Sequence, residues 1–171
     1  KDLTCIKFNL NDTIKGAGGQ YETSTGSQAW YSQIYTTYDD DGFAAQSGDV
    51  APKQSSYMQR WVNVGSEGAT LSFWWKVGEE GSPNTDKMRL RVGHETMSGF
   101  YWNPTYTQEI SGNSGWVKTV VNLPANYGGG YLLRWEYDRT ATNTGDINGY
   151  AWVDDINMTA YTSQSFTNPP G

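Results

Sequence analysis

Three segments constrain the fold more than any other feature of the chain: residues 69–77 (ATLSFWWKV), 131–138 (YLLRWEYD) and 151–157 (AWVDDIN). Each alternates large apolar or aromatic side chains with small or polar ones. Leu71, Phe73, Trp75 and Val77 fall on one side of an extended chain, as do Tyr131, Leu133, Trp135 and Tyr137. A two-residue period in Trp-, Tyr- and Val-rich stretches describes β-strands with one buried face. No window carries helical apolar spacing without Gly or Pro interrupting it. The pattern predicts strands over residues 3–10, 29–36, 44–47, 56–64, 70–77, 87–92, 107–110, 116–123, 131–138 and 150–160. Turn-forming stretches separate them, such as Gly112-Asn113-Ser114-Gly115 and Gly128-Gly129-Gly130. Many short strands at this spacing predict an all-β chain folded as a two-sheet antiparallel β-sandwich, or jelly roll. We read residues 1–161 as one domain and the polar stretch 162–171 as a tail or linker.

Charge and cysteine content narrow the partners. The 171 residues carry a net charge of −6 and a pI near 4.6. Nothing in such a chain neutralises a row of phosphates, which argues against nucleic acid and anionic membrane surfaces. No apolar run approaches the ~20 residues needed to insert through a bilayer. Cys5 is the sole cysteine, so an internal disulfide is excluded. The sequence begins at Lys1, as a processed exported protein does, and as a segment cut from a longer chain also does.

Certain motifs go further. Gln46-Ser47-Gly48-Asp49, Gln54-Ser55-Ser56, residues 71–77 (LSFWWKV), Ile110-Ser111-Gly112, Trp116, Leu132-Leu133-Arg134-Trp135 and Trp152-Val153-Asp154-Asp155-Ile156 occur in an order that resembles the MAM-like jelly-roll domains of microbial surface and secreted proteins. These are relatives of concanavalin-like lectin sandwiches and carbohydrate-binding modules. The resemblance spans roughly residues 9–160. It implies a non-catalytic module, extracellular or at the cell surface, used for adhesion or glycan binding. This chain departs from the pattern at residues 93–108, where a long aromatic segment replaces a short turn. It also lacks the paired cysteines of animal MAM domains.

Asp154 and Asp155 are the first site candidates. On a regular strand Trp152, Asp154 and Ile156 share one face. An aspartate between two large apolar residues is costly to bury unless hydrogen bonds or a cation neutralise it. Loop N–H groups are one solution and a calcium ion with oxygen ligands is the other. The resemblance implies a structural Ca2+ joining the first strand to the last, which brings Asn9, Asn11 or Asp12 toward Asp154 or Asp155. The run Asp39–Asp41 lacks the alternate-residue spacing of a calcium loop and reads as a solvated turn.

The aromatic segment at 93–108 (GHETMSGFYWNPTYTQ) is the leading ligand candidate. Phe100, Tyr101, Trp102 and Tyr106 lie beside Gly99, Asn103 and Pro104, in a connection that need not serve the core. Exposed rings there stack on the C–H face of a sugar while amides bind its hydroxyls. The competing reading folds the loop back over one face of the sandwich. Trp74, which points opposite to Phe73 and Trp75, either offers a second platform on a sheet face or packs beneath a loop, and the group around Trp30 extends either surface.

Catalysis has little support. His94 is the only histidine and has no evident nucleophilic partner. Glu79 and Glu80 are adjacent in a turn, and Glu136 alternates with Arg134 and Asp138 on a face that reads as salt-bridged, so no carboxylate pair faces a cleft. Two functions remain: a module binding polysaccharide or another glycan, and a subunit of an extracellular filament or surface layer. In the second, Leu3 to Leu10 pairs with a sheet in another copy of the chain.

Overall fold

The computed structural model describes residues 2–9, 21–34, 43–64, 67–78, 82–125, 130–143 and 148–164. Twelve strands are seen among them: β1 Asp2–Asn9, β2 Glu22–Thr23, β3 Tyr31–Ile34, β4 Phe43–Gln46, β5 Ser55–Val62, β6 Ala69–Val77, β7 Lys87–Thr96, β8 Gly99–Trp102, β9 Gln108–Ser111, β10 Val117–Leu123, β11 Tyr131–Asp138 and β12 Ala151–Gln164. One sheet runs β10-β6-β12-β4-β3, with β1 also on β12. The other runs β2-β5-β11-β7-β8, with β9 also on β7. All pairings are antiparallel. The two-sheet antiparallel β-sandwich expected from the alternation is the fold.

The core forms where the alternating faces meet. β6 alternates buried and half-buried residues along its whole length. Leu71, Phe73, Trp75 and Val77 pack against Leu133, Trp135 and Tyr137 of β11 and Met58, Met88 and Leu90 beside them. Phe73 meets Trp75 at 5.0 Å and Trp135 at 5.5 Å, both edge to face, which is the favoured geometry for aromatic pairs. Trp75 resolves its one polar atom by donating Nε1–H to Thr119 Oγ1 at 2.9 Å.

At one end of the sandwich a buried ion pair ties the loops together. Asp86 Oδ1 accepts from Arg139 Nε at 3.0 Å and from Thr142 Oγ1 at 2.6 Å, and its Oδ2 accepts from Tyr137 Oη at 3.0 Å. Burial pushes the Tyr137 phenol up, and the Asp86 carboxylate adds to the shift. Arg139 also donates to the Val50 carbonyl, closing the fourth side of the cluster.

The last strand departs from the simple alternation. Between Asp154 and Asn157 the β12–β6 register slips: Asp154 faces Trp74, while Asn157 faces Ser72. The extra residue is a β-bulge, with Asp155 in the left-handed region at φ 50°. Ala151 and Val153 therefore point into the core before the bulge, and Ile156 and Met158 after it. Ile156 thus leaves the face it was expected to share with Trp152 and Asp154.

Three further expectations change. Residues 93–102 form the end of β7, a turn and β8, so the supposed loop is a hairpin that widens the sheet. β12 continues to Gln164, which pairs with Asp2, so the last strand runs past the boundary expected at residue 161. Residues 165–171 lie outside the described residues, as do Asn11, Asp12, Asp39–Asp41, Glu79 and Glu80. Finally, β1 pairs through all eight of its residues with β12 of the same chain. The strand expected to pair with a sheet in another copy pairs within its own chain here.

Candidate functional site

The antiparallel register fixes which side chains share the outer face of the β2-β5-β11-β7-β8 sheet, because directly opposed residues point the same way. One tier across it reads Trp61, Leu132, Gly93, Trp102. The next reads Gln59, Arg134, Arg91, and the third Tyr57, Glu136, Arg89, Glu109. Phe100, opposite Glu95, continues the aromatic end.

That end is an array of rings. Trp61 is 46 % exposed and Phe100 41 %. Phe100 meets Trp61 at 6.0 Å and Trp102 at 4.9 Å, both edge to face. The array depends on Gly93. A Cβ at that position would lie 2.2 Å from Phe100 Cζ and 2.9 Å from Trp102 Cε3. The glycine is needed for close approach of the rings, not for its backbone freedom.

Below the rings lie cations and an amide. The Arg91 guanidinium stacks over Trp102 at 4.3 Å. Arg134 stands over Tyr57 at 4.0 Å and donates from Nε and Nη2 to Gln59 Oε1 at 2.9 and 2.7 Å. Further along, Arg89 reaches Glu109 at 3.1 Å and both Glu136 and Asp138 at 3.4 Å. The salt-bridged face expected around Glu136 is present. Burial raises the Asp138 carboxyl, but the Thr140 hydroxyl and N–H together with Arg89 outweigh it and hold the pKa below the ordinary range.

The structure does not bring the six candidate ligand residues together. Trp102 belongs to this face. Tyr101, 47 % exposed, points to the opposite side of the hairpin, where it meets His94 at 5.8 Å. Asn103 serves local structure: its Oδ1 accepts from the Thr105 N–H, and its Nδ2 lies 3.4 Å from His94 Nε2. Tyr106 packs on the core edge beside Tyr131 and lines a separate cleft of about 370 Å³ with Glu67, Thr70, Asn122 and Pro124. Trp74 sits half-buried on the outer face of the other sheet. Trp30 is wholly enclosed in the core, its backbone N–H donating to Thr23 Oγ1 at 2.8 Å, so its ring is not a platform. The face contains residues the sequence reading did not single out: Tyr57, Gln59, Trp61, Arg91 and the floor residue Gly93. Alternation of Tyr57, Gln59 and Trp61 along β5 was the available signal.

The calcium candidates fare differently. Asp154 is fully buried; its Oδ1 accepts from the Asp155 N–H at 2.8 Å. Asp155 Oδ1 and carbonyl accept from Asn157 Nδ2 at 2.9 and 3.1 Å. Asn9 is the register partner of Asn157, so the first strand does approach the aspartates. Among the described residues no three His, Cys, Asp or Glu side chains form a cluster that holds a metal; Asp12 lies outside them. No helix among the described residues is long and apolar enough to cross a membrane.

No family model matches the chain, and no curated protein matches it. Solved structures do. A family 22 xylan-binding domain of Paenibacillus barcinonensis Xyn10C superposes with a TM-score of 0.60 at 14 % identity, covering 94 % of this chain and 95 % of that one. The K1 cleaved adhesin domain of Lys-gingipain from Porphyromonas gingivalis gives 0.57 at 15 % identity, covering 92 % and 98 %. The TmCBM61 structure in complex with β-1,4-galactotriose gives 0.55 at 13 % identity, covering 81 % and 86 %. At these identities the likeness is one of fold, and the MAM-like resemblance rests on sequence motifs alone. The chain has the fold of the β-sandwich carbohydrate-binding modules.

Proposed function

We propose that this chain is a non-catalytic module, working outside the cell, that binds polysaccharide along the outer face of the β2-β5-β11-β7-β8 sheet. One observation carries the reading: Trp61, Phe100 and Trp102 form a partly exposed ring array at one end of a face whose next tier is Gln59, Arg134 and Arg91. Rings supply a flat apolar surface for the C–H side of a pyranose, and amide and guanidinium groups supply donors for its hydroxyls. The fold shared with a xylan-binding domain and with a galactotriose-bound module supports this. The shared fold of an adhesin domain is consistent with attachment to glycan-bearing surfaces as the outcome of such binding.

Titration against a panel of polysaccharides, followed by Trp fluorescence and calorimetry, tests the proposal. Trp61→Ala removes an exposed ring at little cost to the core and lowers affinity about ten-fold, corresponding to about 1.4 kcal/mol. Absence of binding to every polymer refutes the reading. So does an unchanged affinity in both Trp61→Ala and Phe100→Ala.

We also propose that Ca2+ is held by Asp154 and Asp155 with Asn9 and Asp12, neutralising a carboxylate that the fold buries completely. Bound at a hundred-fold excess over its Kd, calcium adds about 2.7 kcal/mol of stability. That raises Tm by about 5–10 °C for a chain of this length. Asp154→Asn abolishes the response. A wild-type Tm indifferent to Ca2+ and to chelator refutes the site.

A further inference from the structure

The charges on the outer face of the β2-β5-β11-β7-β8 sheet are segregated along the strands. Around Arg89 the balance tips to acid: Glu109, Glu136 and Asp138 all lie within 3.4 Å of its guanidinium, and Lys87 adds a longer contact to Glu109 at 3.7 Å. One tier nearer the rings the balance reverses. Arg91 and Arg134 are directly opposed across β7 and β11. Their ion-pair contacts go to one carboxylate, Glu136, at 3.9 and 4.0 Å, the outer limit of such contact; Glu22, beside Gln59 in the same tier, acts on Arg134 from beyond that distance.

The donor inventory leads to the same place. Arg134 spends Nε and Nη2 on Gln59 Oε1 and turns Nη1 toward Glu136. Among the described residues the Arg91 side chain makes no hydrogen bond; its contacts are the long approach to Glu136 and the stack on Trp102. Stacking holds a guanidinium by its face and leaves the in-plane N–H edges directed outward. With 22 % and 31 % of their side chains exposed, the two cations are reachable but partly shielded. An ion pair there is stronger than a fully exposed one. Burial lowers the Arg134 pKa and Arg91 adds to the lowering, while Glu136, Tyr57 and, least of these, Glu22 oppose it.

We infer that this face selects glycans bearing an anionic sugar unit, with the acid group seated between Arg91 and Arg134 and the adjoining rings packed on Trp61 and Phe100. The inference rests on the proposed polysaccharide-binding face and names the substrate class it takes. It runs against the chain's net charge of −6, so selection comes from local placement and not from the long-range field. A planar carboxylate and a sulfate ester share the chemistry, since each accepts two N–H bonds from an Arg fork.

The test compares matched polymers by calorimetry: a uronic-acid polysaccharide against its carboxyl-reduced form, and a sulfated galactan against its desulfated form. The expected result is at least about ten-fold tighter binding to the acidic member of one pair, with the advantage shrinking as salt rises through physiological strength. The pair that shows it identifies the acid group. Arg91→Gln and Arg134→Gln each erase the advantage, so that the acidic and neutral members of the pair bind with equal affinity to the variant, with Tm measured to confirm folding. Arg91→Lys, which keeps the charge but loses the flat stack, retains only part of it. Equal affinity for acidic and neutral members in both pairs overturns the inference and leaves the glycan-binding proposal standing. No binding to any of the four polymers overturns both.

Discussion

Substituting Gly93 by alanine tests whether the ring array is a designed surface or an accident of crowding. The new Cβ would lie 2.2 Å from Phe100 Cζ, with Phe100 Cε2 and Trp102 Cε3 both at 2.9 Å. Real carbon atoms do not approach so closely, and the β7 backbone, paired with β11 on one side and β8 on the other, is the stiffer partner. Phe100, 41 % exposed at the end of a hairpin, is free to swing outward. Doing so forfeits its edge-to-face contacts with Trp61 at 6.0 Å and Trp102 at 4.9 Å. At about 0.5–1.5 kcal/mol each, the loss is about 2 kcal/mol, or about 4–8 °C in Tm for a domain of this length. Glycan affinity falls about ten-fold because the platform is broken. In Phe100→Ala the space above Gly93 is already vacant, so adding Gly93→Ala costs little more. A double-mutant cycle read by thermal and chemical denaturation then shows a coupling of about 1–2 kcal/mol. Strict additivity of the two substitutions, or a Gly93→Ala protein with unaltered Tm and unaltered binding, refutes the reasoning.

Other perturbations reach different parts of the fold. Asp86→Ala leaves Arg139, whose side chain is 4 % exposed, without its carboxylate; the protein loses about 3–5 kcal/mol, seen in urea unfolding as a lower midpoint at similar m. Because the Asp138 pKa is depressed in the folded state, its contribution to stability is present above about pH 4, the unfolded value, and is lost as pH falls through the folded one. Asp138→Asn therefore flattens the acid limb of the stability profile measured between about pH 5 and pH 2 while lowering stability at neutral pH.

Much of the core was legible from local pattern. Which side of a strand is buried is a property of neighbouring residues, and Leu71, Phe73, Trp75, Val77, Leu133, Trp135 and Tyr137 all lie inside as the alternation requires. The argument weakened wherever a residue's surroundings came from a distant strand. Residues 93–102 read as a loop because Gly93, Gly99 and the run of polar residues between them resemble a connection. Pairing with the far half of β7 makes a strand of the second part, and Gly93 is there to let rings cross it. Trp30, placed at a strand end with no alternating partner, gave no local sign of being core.

Alternation along each segment was enough to determine that this chain is a sandwich and which side chains line its interior, because the period of an extended backbone is set by its own geometry. Only the tertiary structure decided which outward residues become neighbours. Trp61, Arg134, Arg91 and Trp102 come from four strands, and one extra residue at Asp155 reverses the sides of everything after it in β12. Register is a non-local quantity, fixed by pairing across tens of residues, and the proposed binding face exists only once that pairing is made.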